Sequence, residues 1–123
     1  MTSLVAVFIG GGLGALSRFF LGKIALNLYD GLFPLGTFFA NLISCVVVAL
    51  VVFIFSDAKW INEQVKLFLI VGFCGGLSTF STFSLETFEL LKNGHFNWAI
   101  LNLSISILLC LGIIYTVYKK GLV

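Results

Sequence analysis

Residues 31–56 of this chain carry no charged side chain, and three other runs of similar length are nearly as apolar. Between Leu4 and Leu28 the only charges are Arg18 and Lys23. Leu67 to Leu85 is uncharged and continues towards Glu86, Glu89 and Lys92, and Trp98 to Tyr118 is uncharged throughout. A helix crosses the hydrocarbon core of a bilayer with about 20 mostly apolar residues. Four such runs therefore occupy almost the whole chain and leave no stretch for a water-soluble domain. Composition agrees, since only 10% of the 123 residues are charged and 60% are hydrophobic, whereas soluble domains carry about 25% charged residues. The sequence predicts an all-α membrane protein with a single four-helix transmembrane domain over residues 1–123. Its spans fall at about 4–28, 33–56, 65–92 and 97–118.

The amino terminus, "MTSLVAVFIGGGLGALSR", lacks a basic leading region and stays apolar past signal-peptide length, so it reads as the first span. Four spans place both termini on one side. Lys59, Lys66, Lys119 and Lys120 lie on that side, against Lys23 and Lys92 on the other, with Arg18 deeper in its helix. Orientation follows the Lys/Arg excess of short loops. So small an excess predicts a chain that inserts both ways. Trp98 at one end of the fourth span, and Tyr115 and Tyr118 at the other, read as interfacial anchors. The string "GGGLGA" suits close approach of helix backbones.

Residues 72–89, "GFCGGLSTFSTFSLETFE", begin as a membrane helix and then change character. Gly72, Gly75 and Gly76 weaken the helix. Ser78, Thr79, Ser81, Thr82 and Ser84 follow, and such hydroxyls favour breaks and caps over helix interiors. A break near Gly75–Thr79 is expected, with a second half-helix starting about Thr79–Ser81. Irregular backbone at membrane depth is tolerated only inside protein or beside a polar cavity. Freed carbonyls there suit a small cation, and the new helix start suits an anion. Phe80 and Phe83 fall at i, i+3 on one face. Aromatic edges are electropositive, so ring edges flanked by the hydroxyls of Ser81, Thr82 and Ser84 offer an anion a weakly polar route without the trap of a fixed charge. A permeating ion must bind well enough to enter and loosely enough to leave.

The other spans supply polar groups at similar depth. Thr37, Asn41 and Ser44 repeat along the second span, and Asn102, Ser106 and Cys110 along the fourth. Intramembrane polar side chains either line a path or tie helices together. Arg18 and Glu86 are the charged groups to place: Arg18 snorkels to the interface or draws anions into a vestibule, and a buried Glu86 gates or relays protons. Cys45, Cys74 and Cys110 lack metal or redox spacing and read as small apolar residues. His95 is the only histidine and falls in a loop. No nucleophile–base or metal-ligand pattern is present, so the sequence predicts neither an enzyme nor a nucleic-acid binder. A four-helix bundle of this size has little room for a water-filled pore, and a permeation route needs a second subunit.

The strings "GGGLGALSRF", "PLGTFFAN" and "GFCGGLSTFSTFSLE" resemble the Fluc (CrcB) family of fluoride channels, and with the four-span length the resemblance covers essentially the whole chain. It implies a dual-topology, antiparallel homodimer in the bacterial cytoplasmic (inner) membrane, with two pores that passively export fluoride. Phe80 and Phe83 would line the pores with their ring edges and Asn41 would donate to fluoride. Ser81 and Thr82 would add hydroxyls, Thr37 and Arg18 match vestibule positions, and Glu86 matches the acidic position beyond the phenylalanines. Asn102 and Ser106 would extend the polar path on the fourth span. Backbone carbonyls of Gly75 and Ser78, from both subunits, would hold a structural Na+ on the dimer axis. This chain has Ser78 where the family commonly has threonine, and Cys110 where a hydroxyl is expected. The alternative is a small proton-coupled multidrug exporter. It needs a membrane-embedded carboxylate, for which Glu86 is the candidate because the first span has no Asp or Glu. A non-transporting scaffold would leave the Phe–hydroxyl cluster without a role.

Overall fold

The computed structural model describes residues 2–121, and these are all-helical. Helix α1 covers Thr2–Leu28 and α2 covers Leu35–Ile54, with wider i→i+5 turns over Leu50–Ile54. Helix α3 covers 63–77 and has the same wide turns over Leu67–Cys74. Helix α4 covers Phe80–Lys92 and α5 covers Phe96–Gly121. Counting residues 63–92 as one segment, four helices are long and apolar enough to cross a membrane. The chain is a multi-pass membrane protein.

Local chemistry accounts for the helix ends. Asn62 starts α3 by accepting the Val65 N–H on its side-chain oxygen at 2.9 Å, with Glu63 in the first turn, where the helix dipole favours a negative charge. Lys119 and Lys120 occupy the last turn of α5, the favourable end for positive charge. Gly94 turns α4 into α5 with φ at +83°, a left-handed conformation that glycine adopts without a Cβ clash. The His95 N–H then closes the turn onto the Leu90 carbonyl at 2.8 Å.

Helices α1 and α3 meet backbone to backbone. Gly10 and Gly14 on α1 face Gly72 and Gly76 on α3. A Cβ on Gly72 would lie 2.9 Å from the Val7 carbonyl oxygen and 3.0 Å from the Gly10 Cα. Methyl groups on Gly10, Gly14 and Gly76 would strike the carbonyl oxygens of Phe68, Phe73 and Gly11 respectively. Every obstructing atom is main chain, so no rotamer change relieves the clash. Gly36 similarly brings α2 onto α1, since its Cβ would lie 2.9 Å from the Gly22 Cα. Helix α2 is the most enclosed of the spans. Leu4, Phe8, Leu16 and Phe20 on α1, like Ile100, Ile107, Leu108 and Leu111 on α5, point away from the bundle. In a bilayer these side chains meet solvent of their own polarity.

Between α3 and α4 the backbone is extended at two residues, Ser78 (φ −77°, ψ 156°) and Thr79 (φ −154°, ψ 120°). The chain leaves one helix and starts another within that pair.

Candidate functional site

The two extended residues carry a dense set of side-chain bonds. The Ser78 hydroxyl turns back onto α3 and donates to the Cys74 carbonyl at 2.7 Å, which the Ser78 N–H also reaches at 2.9 Å. Thr79 is the N-cap of α4, its Oγ1 accepting the Thr82 N–H at 3.1 Å. The Ser81 hydroxyl lies 3.4 Å from the same oxygen.

Asn41, on α2, holds Thr79 by its main chain. The Thr79 N–H donates to Asn41 Oδ1 at 2.9 Å, and Asn41 Nδ2 faces the Thr79 carbonyl at 3.5 Å. In an uninterrupted helix the Thr79 N–H would bond to the carbonyl of Gly75. Here the Asn41 side chain takes that donor, and the Gly75 carbonyl is released from it. The next carbonyl, Gly76, accepts from Arg18 Nε at 3.2 Å. Arg18 is therefore drawn onto the end of α3. Its positive charge sits where the helix dipole is negative.

Just beyond the pair, the rings of Phe80 and Phe83 lie with centroids 6.2 Å apart and planes tilted by 41°. Their surroundings differ sharply: Phe80 is 80% exposed in the single chain and Phe83 only 7%. Gly75, Ser81 and Ser84 are exposed as well. At 100° per residue, Phe80, Ser81 and Ser84 share one side of α4. That side is the outer surface of the bundle.

A cavity of about 640 Å³ opens at the end of the bundle opposite the termini. Arg18, Thr37, Thr82 and Glu86 all line it, together with Lys23 and Glu89. Thr37 is buried and Glu86 half-buried. Glu86 Oε1 is enclosed and has no hydrogen-bond partner among the described residues. Ser44 Oγ on α2 is likewise buried without a partner among the described residues.

Asn102 and Ser106 stand apart from this cavity. They are almost fully buried, at 1% and 5% exposure, between α5 and its neighbours. Ser106 Oγ lies 3.3 Å from Asn102 Oδ1, to which it donates, and Asn102 Nδ2 donates to Thr87 Oγ1 at 2.9 Å. The Thr87 hydroxyl in turn donates to the Phe83 carbonyl at 2.8 Å.

The candidate residues thus fall into three groups. Arg18, Thr37, Thr82 and Glu86 meet in the cavity; Asn41, Gly75, Ser78, Phe80 and Ser81 surround the extended pair; Asn102 and Ser106 lie behind Phe83. Sequence reasoning missed Thr87, which joins the third group to Phe83, and the part played by the Thr79 main chain. The available signal for Thr87 was its position four residues after Phe83, where a threonine hydroxyl reaches back to the preceding turn.

Comparison with known proteins fits this architecture. Residues 5–118 match the family model described as "CrcB-like protein, Camphor Resistance (CrcB)". The chain belongs to the CrcB family. Among its CrcB relatives is a "Fluoride-specific ion channel FluC" of Paraburkholderia xenovorans, 50% identical over 97 residues, covering 79% of this chain and 76% of the relative. A protein of the same name from Escherichia coli O139:H28 is 44% identical over 105 residues, covering 85% and 82%. Another, from Azobacteroides pseudotrichonymphae, is 39% identical over 108 residues, covering 88% and 86%. The CrcB match runs from the first span to the last turns of α5, so it includes all three groups of candidate residues.

Proposed function

We propose that this chain is a fluoride-selective channel, not an enzyme, and that it works as an antiparallel homodimer with two pores. One observation carries the reading: the extended Ser78–Thr79 pair opens directly onto Phe80, Phe83 and a row of hydroxyls. The names of the CrcB relatives supply the ion. In this reading the pair interrupts the third span at mid-membrane depth, where irregular backbone must be enclosed by protein.

Fluoride is small and strongly hydrated, so it leaves water only if many donors replace the hydration shell. The Ser81 and Thr82 hydroxyls and the Asn41 amide are such donors, and Asn41 Nδ2 is only weakly engaged at 3.5 Å. The electropositive edges of Phe80 and Phe83 add attraction without a full charge. Binding stays loose enough for release. Thr37, Arg18 and Glu86 form the vestibule, with Arg18 providing the positive potential near its floor and Glu86 the acidic group beside it.

The exposed face supports a second copy. Gly75, Phe80, Ser81 and Ser84 turn polar and aromatic groups outward, where hydrocarbon gives hydroxyls no partner. A copy related by a two-fold axis in the membrane plane covers that face and encloses Phe80. The near balance of Lys and Arg between the two sides allows both orientations. The released Gly75 carbonyl fits the Na+ expected there, because main-chain oxygens suit a hard cation. The carbonyls of Gly75 and Ser78 from both copies would hold the ion, which would supply positive charge to bind the two chain breaks together. The working location is a bacterial inner membrane, with passive export of cytoplasmic fluoride.

The test is ion efflux from liposomes containing purified protein, followed with a fluoride and then a chloride electrode. Fast fluoride loss without chloride loss is expected, and Phe80→Ile or Phe83→Ile abolishes it in a folded dimer. A well-folded protein that releases no fluoride would overturn the reading and turn attention to Glu86 as the carboxylate of a proton-coupled exporter. Wild-type flux from both phenylalanine variants would remove the pore assignment.

A further inference from the structure

Helices α2 and α5 run in the same direction, and two aromatic contacts fix their alignment. The ring centroid of Phe33, just ahead of α2, lies 6.3 Å from that of Trp98. The ring centroid of Phe53, near the end of α2, lies 5.2 Å from that of Tyr118. In each pair the second residue follows the first by 65 positions, so the alignment is the same at both ends and holds between them. At that offset Thr37 is level with Asn102, Asn41 with Ser106, and Cys45 with Cys110. Each helix thus presents a row at every fourth residue that ends in a thiol. The two thiols are side by side, as hydrogen-bonding neighbours.

Helical phase places them on facing sides. Asn102 and Ser106 are buried on the inward side of α5, and Cys110 continues that side one turn on. Ala49, one turn after Cys45, has no exposed surface, so α2 is pressed against its neighbours there. Both cysteines are free and half-buried. Two thiols at this spacing suit a soft metal ion. The thiolate is the ligand, so each sulfur releases its proton to water as its bond to the metal forms. Two thiolates cancel the charge of a divalent ion, and a neutral unit is the form that hydrocarbon tolerates. Silver or copper(I) on the same pair would leave a net negative charge. Zinc takes four ligands, and among the described residues no group of three or more His, Cys, Asp or Glu side chains could hold a metal. Mercury(II), which is content with two sulfurs in line, meets every condition.

We propose that Cys45 and Cys110 form a two-thiol site for mercury(II), and that an ion bound there stops conduction. The bridge S–Hg–S ties α2 to α5 one turn beyond Asn41 and Ser106, and it places a heavy, immobile ion at the end of the paired polar rows. The site itself stands on the alignment of the two helices. Its effect on conduction rests on the channel reading above and deepens it.

The experiment treats the purified full-length dimer with mercuric chloride, washes it with excess 2-mercaptoethanol, and reads retained mercury by intact mass. Two thiols on one ion resist a competing monothiol because the second bond is intramolecular. Wild type is expected to keep one mercury per chain with the loss of two protons, and a dithiol such as dimercaptopropanol removes it. Cys110→Ser and Cys45→Ala keep none, and if one of them does not fold the other decides. Cys74 is the competing partner for Cys45, so Cys74→Ala is expected to keep its mercury. Retention in Cys110→Ser, loss in Cys74→Ala, or no retention in wild type would each overturn the site. Fluoride efflux is then compared before and after treatment of the same liposomes. At a free concentration about ten times the dissociation constant roughly nine sites in ten are filled, so wild-type flux falls about tenfold, and the dithiol restores it. Cys110→Ser keeps its own untreated rate. Retained mercury with undiminished flux would overturn the block. Untreated protein that conducts no fluoride would overturn the channel reading, while mercury retention would still decide the site.

Discussion

Replacing Asn41 with leucine tests how the chain interruption at Ser78–Thr79 is maintained. The Asn41 side chain accepts the Thr79 N–H at 2.9 Å, and its second contact, from Nδ2 to the Thr79 carbonyl, is at the outer limit for a hydrogen bond at 3.5 Å. Leucine keeps the branched shape and removes both. An unpaired, enclosed N–H costs about 1–3 kcal/mol, and a bilayer offers no water to relieve it. A central figure of about 2 kcal/mol corresponds to roughly a thirtyfold shift in equilibrium. The chain has one local remedy, which is to return the Thr79 N–H to the Gly75 carbonyl and make α3 and α4 continuous. Either outcome stops fluoride flux: the first loosens Phe80, and the second removes the Gly75 carbonyl proposed for Na+. Asn41→Asp separates fold from conduction. It keeps an oxygen for the Thr79 N–H but sets an acceptor in place of the amide donor, so the interruption is retained, at some cost in stability for the added charge, while flux is lost. The assays are fluoride efflux from liposomes and thermal unfolding in detergent, read by tryptophan fluorescence. Wild-type stability and wild-type flux in Asn41→Leu would refute the reasoning, because the Thr79 N–H would then have another partner.

Gly76→Ala forces α1 and α3 apart at the Gly11 carbonyl and is expected to destabilise the fold by about 1–3 kcal/mol, seen as earlier thermal aggregation in detergent. Gly12→Ala meets no atom within 4 Å in the single chain and serves as its control. Exchange of Na+ for a bulky organic cation throughout purification should lower fluoride flux and weaken the dimer on size-exclusion chromatography. Equal flux and elution in both buffers would remove the cation from the proposal. A reactive tag at the carboxyl terminus should be labelled from both faces of the membrane in cells, and protection on one face only would exclude dual orientation.

Hydropathy alone made the four helices of this chain legible, because burial in a bilayer depends on the apolar content of a contiguous stretch and little else. The role of the glycines as contact surfaces was also readable in outline from "GGGLGA", since a helix surface without Cβ atoms favours backbone approach. Which glycines meet which carbonyls was not readable. Gly10 and Gly14 face α3, while Gly12 faces open space. Helical phase separates those positions, but the direction of each phase depends on where the partner helix lies.

The same limit governs the candidate site. Residue types announced an unusual mixture of hydroxyls and aromatic rings between Ser78 and Ser84, because such groups are out of place in hydrocarbon wherever they fold. Their bonding depended on partners far along the chain: Asn41 reaches Thr79 across 38 positions, and Arg18 reaches Gly76 across 58. Phe80 and Phe83 look alike in sequence, and only the packed structure buries one and leaves the other outward. Thr87 drew no attention because its significance lies in accepting from Asn102, a contact made by the turn at Gly94 and the pairing of two helices. Hydrophobic burial is a property of segments, and sequence by itself determined it here. Hydrogen bonds need donor and acceptor within about 3 Å and in line, and only the crossing angles and rotations of packed helices decided which of them formed.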